Sequence, residues 1–327
     1  MRITVTTTMT TTMSPRRLPF IVTCAFAFAF AFRARAAHAV PVPFPLTPIS
    51  TQATFSGSAV RALLVVGDTI YVGGNFRVTE NGVTRNNLAA FDFDGHLKAG
   101  FSPEPEAPNG TVRALATDGK SLFVGGSFGR MGLKKRLAAV DLVTGVVNRR
   151  FSAHIAGRMD PDAATGVYAL AVVTDHAVEP PVTRLIVGGN FTRVNAATDN
   201  RFGLAALIAD SGDLDPVAFT AGVEGGPVNA LVATADRVYA GGAFIATQGH
   251  SGNLFALDLS GAWQSGAFGS GGQPIVSLDA DEAAGRLFAG VGGSGNRVQA
   301  YNTTGANIGR TVWRGPRAGG DNQAVHV

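Results

Sequence analysis

The chain of 327 residues contains one cysteine, Cys24. It falls in an N-terminal segment with the character of a removable leader. The remainder therefore has no disulfide, no thiol nucleophile and no Cys-ligated zinc. Charge is scarce too. Asp, Glu, Lys and Arg make up 15% of the residues against 46% hydrophobic, a balance that argues against disorder and allows a sizeable core. No segment after the leader keeps a 3.6-residue apolar period, so helices should be few.

The formal net charge of +4 invites a nucleic-acid partner, but the charge is misplaced for one. Arg2, Arg16, Arg17, Arg33 and Arg35 lie in the first 39 residues, which hold no acid. Removing them gives +4 − 5 = −1, with no global field for nucleic acid or an anionic membrane. Arg16 and Arg17 precede an apolar run from Phe20 to Phe32, followed by Ala37-His38-Ala39 as a small-x-small site. This is a secretory signal over 1–39, cleaved between Ala39 and Val40, with a retained anchor as the alternative. The run is shorter than the ~20 residues a membrane-spanning helix needs, so no transmembrane segment is expected. Export implies a secreted or cell-surface protein.

The 42 glycines show no collagen period and are explained by a repeat. Four segments share one pattern. Val60-Arg61-Ala62-Leu63 is followed by Tyr71-Val72-Gly73-Gly74-Asn75-Phe76, Leu88-Ala89-Ala90-Phe91-Asp92 and Phe101. The same signals return from Val112, with Gly125-Gly126-Ser127-Phe128 and Phe151; from Val167, with Gly188-Gly189-Asn190-Phe191 and Phe219; and from Val228, with Gly241-Gly242-Ala243-Phe244 and Phe268. A worn fifth copy starts at Ile275, and a sixth opens near Asn322. Each copy holds four strand-length apolar runs. The third ends in a turn such as Asp92 to Gly95, Asp141 to Gly145 or Asp258 to Gly261, where Asp bonds its own backbone and Gly supplies positive φ. The third copy has Ile208 in the Asp position. Glycine after the second run allows close backbone approach, and the aromatic two residues later should fill the gap to the next copy.

Four strands in roughly 50 residues match one propeller blade. A lone four-stranded sheet cannot cover both faces, so the blades must pack on one another. The expected fold is an all-β propeller of kelch-like blades over 40–327, with five recognisable repeats and the start of a sixth. On Val-x-Ala-Leu, Tyr/Phe-Val-Gly-Gly-x-Phe and Leu-Ala-Ala-x-Asp, the chain resembles the bacterial delta-60 repeat family of secreted β-propellers. That resemblance covers about 60–313 and implies a fold but no common chemistry. Phe55 precedes Val60 much as Phe101 precedes Val112, so 46–55 is expected to close the ring by completing the blade that begins near Asn322. A six-bladed ring truncated at the C-terminus and a five-bladed protein with a ragged end are the two alternatives.

Motifs that suggest chemistry dissolve into the repeat. Gly125-Gly126-Ser127-Phe128-Gly129 fits G-x-S-x-G, yet Ser127 is Asn75, Asn190 or Ala243 in the other copies. Gly290 to Gly295 fits G-x-G-x-x-G but leads into a strand, without the helix N-terminus a phosphate needs. His96, His154, His176, His250 and His326 stand singly. The pairs Asp92/Asp94, Asp160/Asp162, Asp213/Asp215 and Asp279/Asp281 complete no calcium loop, so calcium has no supporting motif. Arg85, Arg136 and Arg201 recur before the third strand and are expected in salt bridges between blades. No catalytic residue and no cofactor is assigned. The expected function is an extracellular, non-enzymatic binding scaffold that contacts protein or glycan through blade loops, with 153–166 and 175–183 as contact candidates. The alternative is a secreted polysaccharide hydrolase or lyase with acids at the propeller mouth.

Overall fold

The computed structural model describes residues 53–195, 201–220, 222–266, 268–304 and 308–315. All belong to the compact unit 49–327. The leader, the Ala39/Val40 junction and the segment opening near Asn322 lie outside the described residues. The fold is all-β and antiparallel. Among the described residues the only helical piece is a 3₁₀ turn at Gly293–Gly295, and no helix is long and apolar enough to cross a membrane.

Each repeat forms its own meander sheet. Repeat 1 is β1 (Thr54–Val66), β2 (Thr69–Glu80) and β3 (Val83–Phe91), and repeat 2 is β4 (Val112–Thr117), β5 (Ser121–Gly126) and β6 (Leu137–Asp141). A short strand β7 (Ile155–Ala156) precedes repeat 3, which comprises β8 (Gly166–Asp175), β9 (Val182–Asn190) and, after β10 (Arg193–Val194) pairs back to β7, β11 (Leu204–Ile208). Before repeat 4 comes β12 (Val223–Glu224), which joins a ribbon with β15 (Ala246–Thr247) and β16 (His250–Ser251). Repeat 4 itself runs β13 (Val228–Ala233), β14 (Arg237–Gly242), β17 (Leu254–Asp258), β18 (Trp263–Gln264). Repeat 5 runs β19 (Ile275–Asp281), β20 (Arg286–Val291), β21 (Arg297–Asn302), β22 (Thr311–Arg314).

The fourth strand forms only in repeats 4 and 5. In repeats 1 to 3 the fourth run makes a single bridge, Phe91 to Leu97, Val140 to Val147 and Leu207 to Leu214. It then leaves the sheet edge, and Phe101 and Phe151 turn inward, packing 5.3 Å from Tyr71 and 5.7 Å from Phe123 between ring centroids. Short edges of this kind offer little template for unwanted strand pairing. The turns behave as the Asp and Gly signals imply. Asp141 Oδ1 accepts from the amides of Val143 and Thr144 and from the Thr144 hydroxyl, with Gly145 at φ 77°. Repeat 3 keeps this turn without the aspartate: Gly212 N–H donates to the Ile208 carbonyl at 2.8 Å, and φ at Gly212 is 78°.

The core is a chain of clusters, each shared by two successive repeats. Tyr71, Leu88, Ala90 and Phe101 of repeat 1 pack with Val112, Val124 and Phe128 of repeat 2. Phe123 and Phe151 then meet Val167, Val187 and Phe191, Ile186 and Phe219 meet Val228 and Phe244, and Tyr239 and Phe268 meet Ile275 and Tyr301. Phe128, Phe191 and Phe244 are fully buried, each worth ~1.5–3 kcal/mol of burial.

The two glycines of each pair do different work. A Cβ on the first would meet the leading β-branched residue of the next repeat: Gly73 against Val112 Cγ1 at 2.5 Å, Gly125 against Val167 Cγ1 at 2.5 Å, Gly188 against Val228 Cγ1 at 2.7 Å and Gly241 against Ile275 Cγ2 at 2.5 Å. A Cβ on the second would overlap a carbonyl oxygen of its own sheet, those of Ala59, Thr111, Gly166 and Pro227. Only this second contact is backbone approach; the first is a socket for a side chain.

One expectation is corrected at its end. Phe55 does not finish a ring-closing strand; it lies in β1, paired with Val78, and stacks 5.7 Å from Phe91. Residues 46–52 lie outside the described residues. The reason is length: β1 continues ahead of the repeat's leading Val60, so the first sheet begins before the motif does.

Candidate functional site at the bulge end of the sheets

In every repeat the ladder between first and second strands slips by one residue. The slips fall between Val60 and Ala62, Val112 and Ala114, Val167 and Ala169, Val228 and Ala230, and Ile275 and Ser277. The extra residue is thus Arg61, Arg113, Tyr168, Asn229 or Val276. A bulge re-aims the side chain it carries. Since β1 lies beside β4, β4 beside β8, β8 beside β13 and β13 beside β19, these five residues form one row across the molecule. The Arg113 guanidinium sits 4.8 Å from the Tyr168 ring centroid, the Tyr168 hydroxyl donates to the Ala164 carbonyl, and Asn229 Nδ2 donates to the Ile275 carbonyl at 3.1 Å. Burial lowers the Arg113 pKa and Arg61 lowers it further, against an opposing pull from Tyr168. Burial likewise raises the Tyr168 hydroxyl, partly offset by Arg113.

The bulges also define two ends of the molecule. First strands start at the bulge and run to a tight hairpin, so 153–166, which precedes β8, lies at the bulge end. The 175–183 hairpin lies at the opposite end, and the two contact candidates cannot form one surface. At the bulge end a cleft of about 510 Å³ is lined by residues including Ile245, Ser251, Asn253, Phe268 and Ser270, with no charged side chain. Close to it in sequence, His250 stacks flat on Trp263, with centroids 3.7 Å apart. At the hairpin end a cleft of about 470 Å³ lies beside Asp68, Tyr71 and Lys98, with Asp68 and Lys98 already joined as a pair at 2.9 Å.

The 153–166 segment is held from beneath. Asn190 is fully buried; its Oδ1 accepts from the amides of Met159 and Asp160, and its Nδ2 donates to the Asp160 and Ala163 carbonyls. Asn190→Ala should cost about 2 kcal/mol, since two partly buried amides lose their acceptor. Limited proteolysis should then cut near Met159, and an uncut segment would show that the asparagine is dispensable.

Most acids are occupied by the fold. Asp92, Asp141 and Asp258 cap their turns. Glu80 pairs with His96 at 2.9 Å, which lowers the acid and raises the imidazole. Asp175 and Asp215 both bond Arg184, and Asp160 caps the Asp162 amide. Asp279 and Asp281 bond the amides of Ala280 and Ala284. Among the described residues no group of three or more His, Cys, Asp or Glu converges. The expected salt bridges of Arg85 and Arg136 are replaced by bonds to carbonyls: Arg85 to Phe101, Thr84 and Ala99, and Arg136 to Ile155. Arg85 thereby occupies carbonyls where the fourth run of repeat 1 leaves the sheet, while Arg136 reaches across to β7.

Ser127 lies beyond the end of β5, its amide donating to the Thr111 carbonyl at 2.9 Å. Gly290 to Gly295 passes from β20 through the 3₁₀ turn toward β21. The bulge row was missed in the sequence because its residue types differ in every copy; the signal was the fixed spacing ahead of Ala-Leu.

No family model and no curated protein matches the chain. Among solved structures it is similar to the computationally designed Ika8 protein, at 13% identity over 83% of this chain and 91% of that one, with a TM-score of 0.42. The designed Ika4 protein is 16% identical over 61% of this chain and 95% of its own, with a TM-score of 0.39. Scores of this size carry no conclusion about topology or function.

Proposed function

We propose that the chain is a kelch-like β-propeller of the delta-60 repeat kind, exported by its 1–39 leader, and that it acts outside the cell as a binding module without turnover. The observation that carries this is the use of the acids: turn caps and ion pairs absorb them, while the bulge end offers an uncharged cleft of hydroxyl, amide and aromatic groups. Such a lining suits a neutral glycan, whose hydroxyls pair with the exposed Ser251 while its apolar face packs on Ile245, over a floor of Asn253 and Ser270 that bond the Phe244 carbonyl and each other. Blade packing supports the propeller assignment, since each sheet covers the face its neighbour leaves open.

A glycan array probed with the mature protein tests this, alongside a variant with Ser270→Trp to fill the cleft. Retention of a neutral oligosaccharide, unchanged in mass after incubation and at least tenfold weaker in the variant, is the expected result. Release of reducing ends that stops on changing one Asp or Glu would favour the hydrolase or lyase instead. Retention lost only on replacing residues 176–181 would move the contact to the hairpin end.

A further inference from the structure

Two buried arginines of this fold, Arg85 and Arg184, are well supplied with acceptors. Arg85 reaches three carbonyls, and Arg184 spans two carboxylates. Arg113 differs. Its guanidinium lies over the Tyr168 ring, and its Nε is buried without any hydrogen-bond acceptor. No carboxylate among the described residues forms an ion pair with Arg113 or with Arg61, the equivalent residue of the adjacent first strand. Two like charges are thus set on adjacent strands, one partly withdrawn from water, with no ion-pairing carboxylate among the described residues. A desolvated cation with no counter-charge is costly, and a recurring bulge holds both side chains to the same end of their strands.

From this geometry we infer that Arg61 and Arg113 form a binding site for an oxyanion, separate from the neutral cleft. The Arg113 fork supplies paired N–H donors suited to a carboxylate, sulfate or phosphate group. Tyr168 fixes the plane of that fork by stacking, and Arg61, exposed at the outer side, draws the anion in and supplies the second charge. The site does not depend on the glycan reading: either can fail without the other.

The test titrates the mature protein with sodium glucuronate, sodium sulfate and sodium phosphate, using sodium chloride at matched ionic strength as reference. At least one of the three should raise the melting temperature by several degrees where chloride does not, because a ligand of the folded state stabilises it. The response of the three salts identifies which oxyanion is taken. Arg113→Gln should weaken binding at least tenfold by calorimetry, and Arg113→Lys, which keeps the charge but loses the fork, by an intermediate factor. In anion-free buffer Arg113→Gln should melt at or above the parent temperature, since it removes an uncompensated cation. The inference is overturned if none of the salts stabilises the parent beyond chloride, if Arg113→Gln binds equally well, or if that variant melts well below the parent without anion, as a structural arginine would.

Discussion

Gly126→Ala should lower the unfolding free energy by about 3 kcal/mol or more, whereas Gly100→Ala should leave it unchanged or raise it by about 0.5 kcal/mol. The added methyl at Gly126 would overlap the Thr111 carbonyl oxygen and come within 3.0 Å of the Val112 Cα. That carbonyl cannot retreat cheaply, because it accepts the Ser127 amide at 2.9 Å and lies at the start of the bulge. At Gly100 a Cβ would meet nothing within 4 Å, and φ there is not positive. Gly125→Ala should fall between them, at about 1–3 kcal/mol, since its obstacle is the Val167 side chain, which has some freedom to move. Urea denaturation of the three variants gives the order directly. Equal midpoints for Gly126→Ala and Gly100→Ala would show that the glycine pair is not a packing device.

Arg184→Ala should cost about 3 kcal/mol or more near neutral pH, because it leaves two carboxylates without their shared cation. Arg184 is buried and bonds Asp175 Oδ2 at 2.8 Å and Asp215 Oδ2 at 2.7 Å. Burial pushes Asp215 upward, but Arg184 and the amides of Val217 and Ala218 outweigh it, so its pKa lies below the usual carboxylate range. Asp175 is lowered as well, first by its bond to Arg184 and then by the Ala177 amide. A depressed folded-state pKa contributes stability that is present above the unfolded value, near pH ~4, and is lost as pH falls through the folded value. The parent should therefore lose stability steeply below pH ~4, and Arg184→Met should show a shallower acid limb. Stability measured from pH 7 to 2 decides it. Parallel curves for parent and variant would remove Arg184 as the source of the acid sensitivity.

The regular part of this molecule was legible. An apolar run leading into Gly-Gly-x-Phe places a second strand and its buried phenylalanine in repeats 1 to 4, because strand alternation, glycine and a large aromatic each carry a local physical signal. Asp141 and Gly145 announce their turn for the same reason. The contents of the candidate site were not legible. Arg61, Arg113, Tyr168 and Asn229 share a position but no chemistry, so residue type alone hides them until strand register exposes the bulge. Arg85 read as an ion-pairing residue and instead binds carbonyls, because its partners depend on where the fourth run leaves the sheet. The role of Asn190 beneath 159–164 follows from a loop too irregular to place by pattern.

By itself, then, the amino-acid sequence determined the all-β character, the repeat and the residues that would be buried. Those properties follow from alternation, turn chemistry and the need of each sheet to cover an apolar face. Only the tertiary structure decided which glycine meets a side chain and which meets backbone, where the fourth strand is lost, and that two arginines lie on adjacent strands with no ion-pairing carboxylate among the described residues. These depend on register and on distances between segments about forty to fifty residues apart, as from Gly73 to Val112 or from Arg61 to Arg113, and no local signal encodes them.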